Sequence, residues 1–133
     1  MSNKKWILII SGLVLVIIIV AAFSLNTKKE VAIGAADAGK NISLKQGDTL
    51  VVTLDGNATT GYTWETAQEI PILKQVGTAE QTPSSSKMGA PGQIVLKFQA
   101  VQAGQGKLTL VYHRPFEKDV PPLKTYSVDV TVQ

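Results

Sequence analysis

The sequence predicts an all-β sandwich of about seven or eight short strands, preceded by one N-terminal transmembrane helix. Three observations carry that prediction. Apolar and polar residues alternate in short runs from residue 42 to the end. Turn signals built from Gly, Pro and Asn separate those runs. No stretch after residue 26 has helical periodicity, whereas residues 6–25 form one uninterrupted uncharged run.

That run, WILIISGLVLVIIIVAAFSL, holds 20 residues. As a helix rising about 1.5 Å per residue it spans about 30 Å, the thickness of a hydrocarbon core. Trp6 fits an interfacial anchor beside Lys4 and Lys5. Those lysines favour an inside amino terminus, and Lys28 and Lys29 beyond the run weaken the bias. The competing reading is a cleaved signal peptide, for which Ala22-Phe23-Ser24 offers small residues. The run exceeds the usual signal core of about 7–15 residues, so a single-pass membrane anchor is preferred. Either way the domain lies outside the cytoplasm, secreted or periplasmic if the segment is cleaved. Residues 1–25 are thus an anchor, residues 26–40 a tether with a possible first edge strand near Val31-Ala32-Ile33, and residues 41–133 the folded domain.

Within that domain Ile42 and Leu44 share a face, and Gln46-Gly47-Asp48 reads as a turn. Leu50, Val52 and Leu54 define a strand over residues 49–54. A polar loop follows at residues 57–61, and a strand resumes over residues 62–66 with Trp64 in the core. Residues 70–76 read as a weaker strand, placed at an edge by Pro71. Residues 77–92 read as one long loop. Ile94, Leu96, Phe98 and Ala100 then point inward from residues 93–100. Ala103-Gly104-Gln105-Gly106 reads as a turn, and Leu108, Leu110 and Tyr112 line the next strand, so the two strands read as a hairpin. After a loop over residues 115–122, residues 125–133 close the domain with Tyr126, Val128, Val130 and Val132 inward. So many short strands in about 100 residues point to a sandwich of immunoglobulin-like type, without that fold's disulfide.

Composition excludes several function classes. With no cysteine there is no disulfide, thiolate nucleophile, Cys-ligated zinc or lipid-modified amino terminus. One histidine, His113, cannot form a histidine-cluster metal site. The net charge of +3 comes from the flanks of the apolar run; from Asp37 onward nine basic residues balance nine acidic ones. Such a surface lacks the basic face that a nucleic acid requires. A Ser-His-Asp arrangement would need His113, which alternates outward from Tyr112 onto a solvated face. Glu117 and Asp119, on either side of Lys118, read as solvated loop residues, and no glycine-rich loop carries the Lys-Ser/Thr of a phosphate cradle. No catalysis and no cofactor are expected.

Binding is better supported. In Asn57-Ala58-Thr59-Thr60-Gly61-Tyr62, Asn and Gly supply turn chemistry and two stiff threonines sit at the tip. Two further loops, at residues 87–92 and 114–119, also follow strands, and alternate turns of a sandwich gather at one end. The three would make one convex edge, suited to entering a partner's cleft. Asn41 and Asn57 each begin a glycosylation sequon, and a glycan on Asn57 would block such an edge.

The first of these stretches resembles the Asn-Pro-Thr-Thr-Gly-aromatic loop of chagasin-like inhibitors of papain-type cysteine peptidases. Gly89-Ala90-Pro91-Gly92 and Arg114-Pro115-Phe116, the latter preceded by Tyr112, match the same family in order. The resemblance covers residues 31–133 and implies the same immunoglobulin-like architecture. It implies reversible occlusion of the active-site cleft of a papain-like cysteine peptidase by a monomeric protein. Thr59 would reach nearest the catalytic cysteine and histidine of the target. Thr60 and Gly61 would hold the loop, Gly89 to Gly92 would line one side of the cleft, and Phe116 would anchor the other. Arg114 would order its own loop. Ala58 stands where the family usually has proline, and Phe116 where tryptophan is common. The contrasting expectation is an immunoglobulin-like envelope or adhesion module that inhibits nothing.

Overall fold

The computed structural model describes residues 27–83 and 92–133. The expected transmembrane segment and Gly89, Ala90 and Pro91 lie outside the described residues. Among the described residues no helix is long and apolar enough to cross a membrane.

Among the described residues nine strands run in chain order: β1 (Glu30–Gly34), β2 (Asn41–Leu44), β3 (Thr49–Gly56), β4 (Thr63–Thr66), β5 (Leu73–Gln75), β6 (Glu80–Pro83), β7 (Gly92–Ala100), β8 (Gly104–His113) and β9 (Lys124–Val132). One sheet is ordered β1-β3-β7-β5, with β6 also paired to β7; the other is ordered β2-β9-β8-β4. Two parallel pairs, β1 with β3 and β2 with β9, sit at one side of the sandwich. The remaining pairs are antiparallel.

Period-two alternation explains the layers. Leu50, Val52, Leu96 and Phe98 face Leu108, Leu110, Val128 and Val130, and all are buried. Bonds from large aromatic side chains to backbone tie the sheets together. Trp64 Nε1–H donates to the Asp55 carbonyl at 3.0 Å, and the Tyr126 hydroxyl donates to the Gly34 carbonyl at 2.8 Å. At the foot of β3 the Asp48 carboxylate is only 2% exposed. It accepts the backbone N–H of Lys45 at 2.9 Å and of Lys29 at 3.3 Å, so the buried carboxylate has two backbone partners.

Two expectations need correction. β7 and β8 are not a hairpin, because they lie in opposite sheets. Both carry apolar faces toward the core, and residues 101–103 take the chain across the sandwich. The glycines read as a turn already belong to β8. At Gly104 (φ +149°) a Cβ would stand 3.0 Å from Ile72, so these glycines admit Ile70 and Ile72 against the strand. The long loop over residues 77–92 contains β6, whose polar residues show no alternation. Its backbone pairs with the first half of β7, Glu80 opposite Val95, while β5 pairs with the second half. The possible first edge strand near Val31-Ala32-Ile33 is present as β1, at the edge of its sheet: it pairs with β3 over five residues and buries Ile33.

The registers define two poles. Gly56 at the end of β3 pairs with Gly92 at the start of β7, and Thr63 pairs with His113. The loops after β3 and after β8 and the start of β7 therefore share one pole. Thr49, Ala100, Gly104 and Val132 mark the other.

Candidate functional site

The loop after β3 is a single tight turn over Ala58–Thr60. Asn57 organises it from both ends of its residue. Its Oδ1 accepts the Thr59 N–H at 3.1 Å and the Thr59 hydroxyl at 2.5 Å. Its carbonyl accepts the Thr60 hydroxyl at 2.6 Å and the Thr60 N–H at 3.2 Å. Gly61 closes the turn in left-handed backbone, φ +84°, donating its N–H to the Ala58 carbonyl at 3.0 Å. Both threonine hydroxyls are thus spent on holding the loop, while Ala58, Thr59 and Thr60 remain exposed.

The root of the loop rests on aromatic rings. Tyr112, from β8, accepts the Asn57 N–H on its hydroxyl at 3.0 Å. Tyr62 stacks on the Tyr112 ring at 5.3 Å, and Trp64 meets the same ring at 5.1 Å.

Arg114 joins the third loop to the first. Its Nε donates to the Thr60 carbonyl at 3.0 Å, its Nη1 to Glu117 Oε1 at 2.9 Å, and its guanidinium lies 4.5 Å from the Tyr62 centroid. The hydrogen bond to Glu117 raises the already high pKa of Arg114. The expectation that Arg114 orders its own loop is therefore incomplete, because it also holds the first loop. Glu117, expected to be solvated, is its ion-pair partner. Phe116 is 72% exposed, yet its ring edge borders Gly61, where a Cβ would stand 3.2 Å from it. Pro115, between Arg114 and Phe116 in sequence, is also exposed.

The sequence-expected residues of the first and third loops thus meet in space: Asn57, Thr59, Thr60, Gly61 and Tyr62 with Arg114 and Phe116. Gly92 sits beside them as the partner of Gly56. Tyr112 and Glu117 are the residues that sequence reasoning left without a role at this edge. Their signals were an aromatic two residues before Arg114 and an acid three residues after it. His113 pairs with Glu65 at 2.9 Å on the outer face of its sheet, away from any nucleophile–base arrangement. Among the described residues no group of three His, Asp or Glu side chains could hold a metal.

An immunoglobulin-like sandwich whose first and third loops are tied together at one pole is the class of protein that this fold and site define. The comparisons give that class its family. The model of the chagasin family of peptidase inhibitors, I42, matches residues 43–130, and the chain belongs to that family. Amoebiasin-1 of Entamoeba histolytica is 29% identical over 92 residues, 69% of this chain and 89% of that protein. The solved cysteine protease inhibitor EhICP2 from Entamoeba histolytica shares the fold at TM-score 0.68 and 21% identity, covering 80% of this chain and 97% of that one. The solved Leishmania mexicana ICP aligns at TM-score 0.55 and 30% identity, covering 74% and 93%. The chain is an inhibitor of papain-like cysteine peptidases, not an enzyme.

Proposed function

We propose that the edge built from the 57–61 and 114–119 loops, flanked by the 87–92 loop, enters the active-site cleft of a papain-like cysteine peptidase and blocks it reversibly. The observation that carries this reading is the tie from Arg114 to the Thr60 carbonyl, which makes two separate loops one wedge. A wedge already ordered before binding loses little conformational entropy on entering a cleft. Thr59 at its exposed tip approaches the target's cysteine and histidine, and Phe116 packs as the apolar anchor beside it. Ala58 leaves φ free where proline would fix it, a cost of about 0.4–1 kcal/mol. The two threonine hydroxyl bonds to Asn57 restrict the same segment and offset part of that cost. No covalent step involves this chain. The apolar run at residues 6–25 anchors the monomer in the cell membrane, with the domain on the extracytoplasmic side.

Titration of the purified chain against a papain-like peptidase with a fluorogenic substrate tests the wedge. The native chain should inhibit stoichiometrically and reversibly. Thr59→Asp, which puts a charge into a narrow cleft, should lose inhibition while keeping its melting midpoint. Full inhibition by Thr59→Asp would move the contact surface elsewhere, and no inhibition by the native folded chain would reject the reading.

A further inference from the structure

The two poles of the sandwich differ in chemistry as well as position. Opposite the wedge, three lysines gather around the turn before β3. Lys29 and Lys45 are brought together by one carboxylate, since Asp48 accepts both backbone N–H groups. Lys28 lays its stem over the same turn: a Cβ at Gly47 would stand 3.2 Å from its Cε. All three lysines are exposed, whereas Asp48 is buried against backbone donors. Glu30 lies one step up β1, whose Val31 and Ile33 pack inward, so its side chain faces out from the sheet.

This basic pole is also where the chain enters the domain. Lys29 accepts the Thr49 N–H on its carbonyl at 2.9 Å, and β1 then runs parallel to β3 toward the wedge. The apolar run ends at Leu25, two residues before the described chain begins. β3 has eight residues, so at about 3.4 Å per residue the wedge stands about 25 Å from the pole.

We propose that the pole carrying Lys28, Lys29 and Lys45 is a docking face for anionic phospholipid headgroups, and that it orients the anchored domain with its wedge away from the bilayer. The inference rests on the anchor reading of residues 6–25. Lysine ammonium groups next to a membrane segment are attracted to phosphate headgroups, and that attraction decays within a Debye length. A short tether alone leaves the domain free to tilt; three charges on one face select one orientation. The peptidase then meets the wedge from the aqueous side, without collision with the membrane.

The absence of cysteine makes the test direct. A single fluorophore is placed by Gln46→Cys at the basic pole or by Lys118→Cys at the wedge pole. Each full-length chain is reconstituted into phosphatidylglycerol-containing vesicles that carry a headgroup quencher. Quenching should be several-fold greater from position 46 than from position 118. The difference should shrink with added salt, in phosphatidylcholine vesicles, and with Lys28→Gln, Lys29→Gln and Lys45→Gln combined; a retained melting midpoint shows that this variant is folded. Equal quenching at the two positions, stronger quenching at position 118, a bias unmoved by the lysine changes, or failure of the chain to float with vesicles would each overturn the proposal. Peptidase titration of vesicles that carry the unlabelled native chain reads the wedge separately: lost inhibition there, with the quenching bias of the labelled chains intact, would reject the cleft reading alone.

Discussion

At Arg114 three interactions meet in one side chain: a carbonyl of the neighbouring loop, a carboxylate of its own loop and an aromatic face. Lysine could supply the charge but not the planar fork that reaches two acceptors at once. Arg114→Ala should therefore release the first loop from the third. Loss of its hydrogen bond to the Thr60 carbonyl predicts about 10-fold weaker inhibition, chiefly through faster dissociation. Glu117→Gln weakens only a half-exposed ion pair and should cost no more than about fivefold. Dissociation rates from a papain-like peptidase, measured beside melting midpoints, check both; an equal loss in the two variants would place the control in Glu117 instead.

Strands β1 and β9 show how an element is fastened across the sandwich. Gly34 receives the Tyr126 hydroxyl on its carbonyl and donates its N–H to the Asp37 carboxylate at 2.9 Å. Burial raises the Tyr126 pKa above its ordinary 10.0. The sign of the consequence is set by linkage: the unfolded chain loses this proton first, so the hydroxyl's contribution is complete below pH 10.0 and is lost as pH rises toward the folded value. Tyr126→Phe should cost about 1 kcal/mol near neutrality. Its stability deficit relative to the native chain should narrow above pH 10.0, as measured by denaturant unfolding at neutral and alkaline pH. A deficit constant across that range would mean that ionisation of the hydroxyl is not coupled to folding.

Over the whole molecule, the proposed recognition edge and the stabilising core are built from different residues. The core lies between the sheets, whereas the wedge is built from exposed loop residues held by polar bonds at one pole. Leu110 is fully buried in the middle of β8. Leu110→Ala should lower stability by about 2–5 kcal/mol through lost contacts and a cavity. Well below its melting midpoint, that variant should still titrate a peptidase at the native equivalence point. A shifted equivalence point with intact circular dichroism would show that the core shapes the wedge directly.

Much of this was legible in sequence, because a strand writes its inward face into every second residue. Leu50, Val52, Ile94, Leu96, Phe98, Leu108, Leu110, Val128 and Val130 were all assigned to the core by alternation, and all are buried. The same signal is silent where pairing is purely backbone, which is why polar β6 was read as loop. It is silent too about which sheet a strand joins: β7 and β8 have the same pattern whether they pair as a hairpin or face each other across the core. For the wedge, sequence alone determined the turn chemistry of Asn57, Thr59, Thr60 and Gly61 and the aromatic, basic and apolar residues that accompany it. Only the tertiary structure decided that Arg114 binds Thr60, that Tyr112 supports Asn57, and that the lysines lie at the opposite pole. Those pairs are 54 and 55 residues apart in the chain, and a periodicity of two carries no information over that distance. The strand registers bring them within hydrogen-bonding reach.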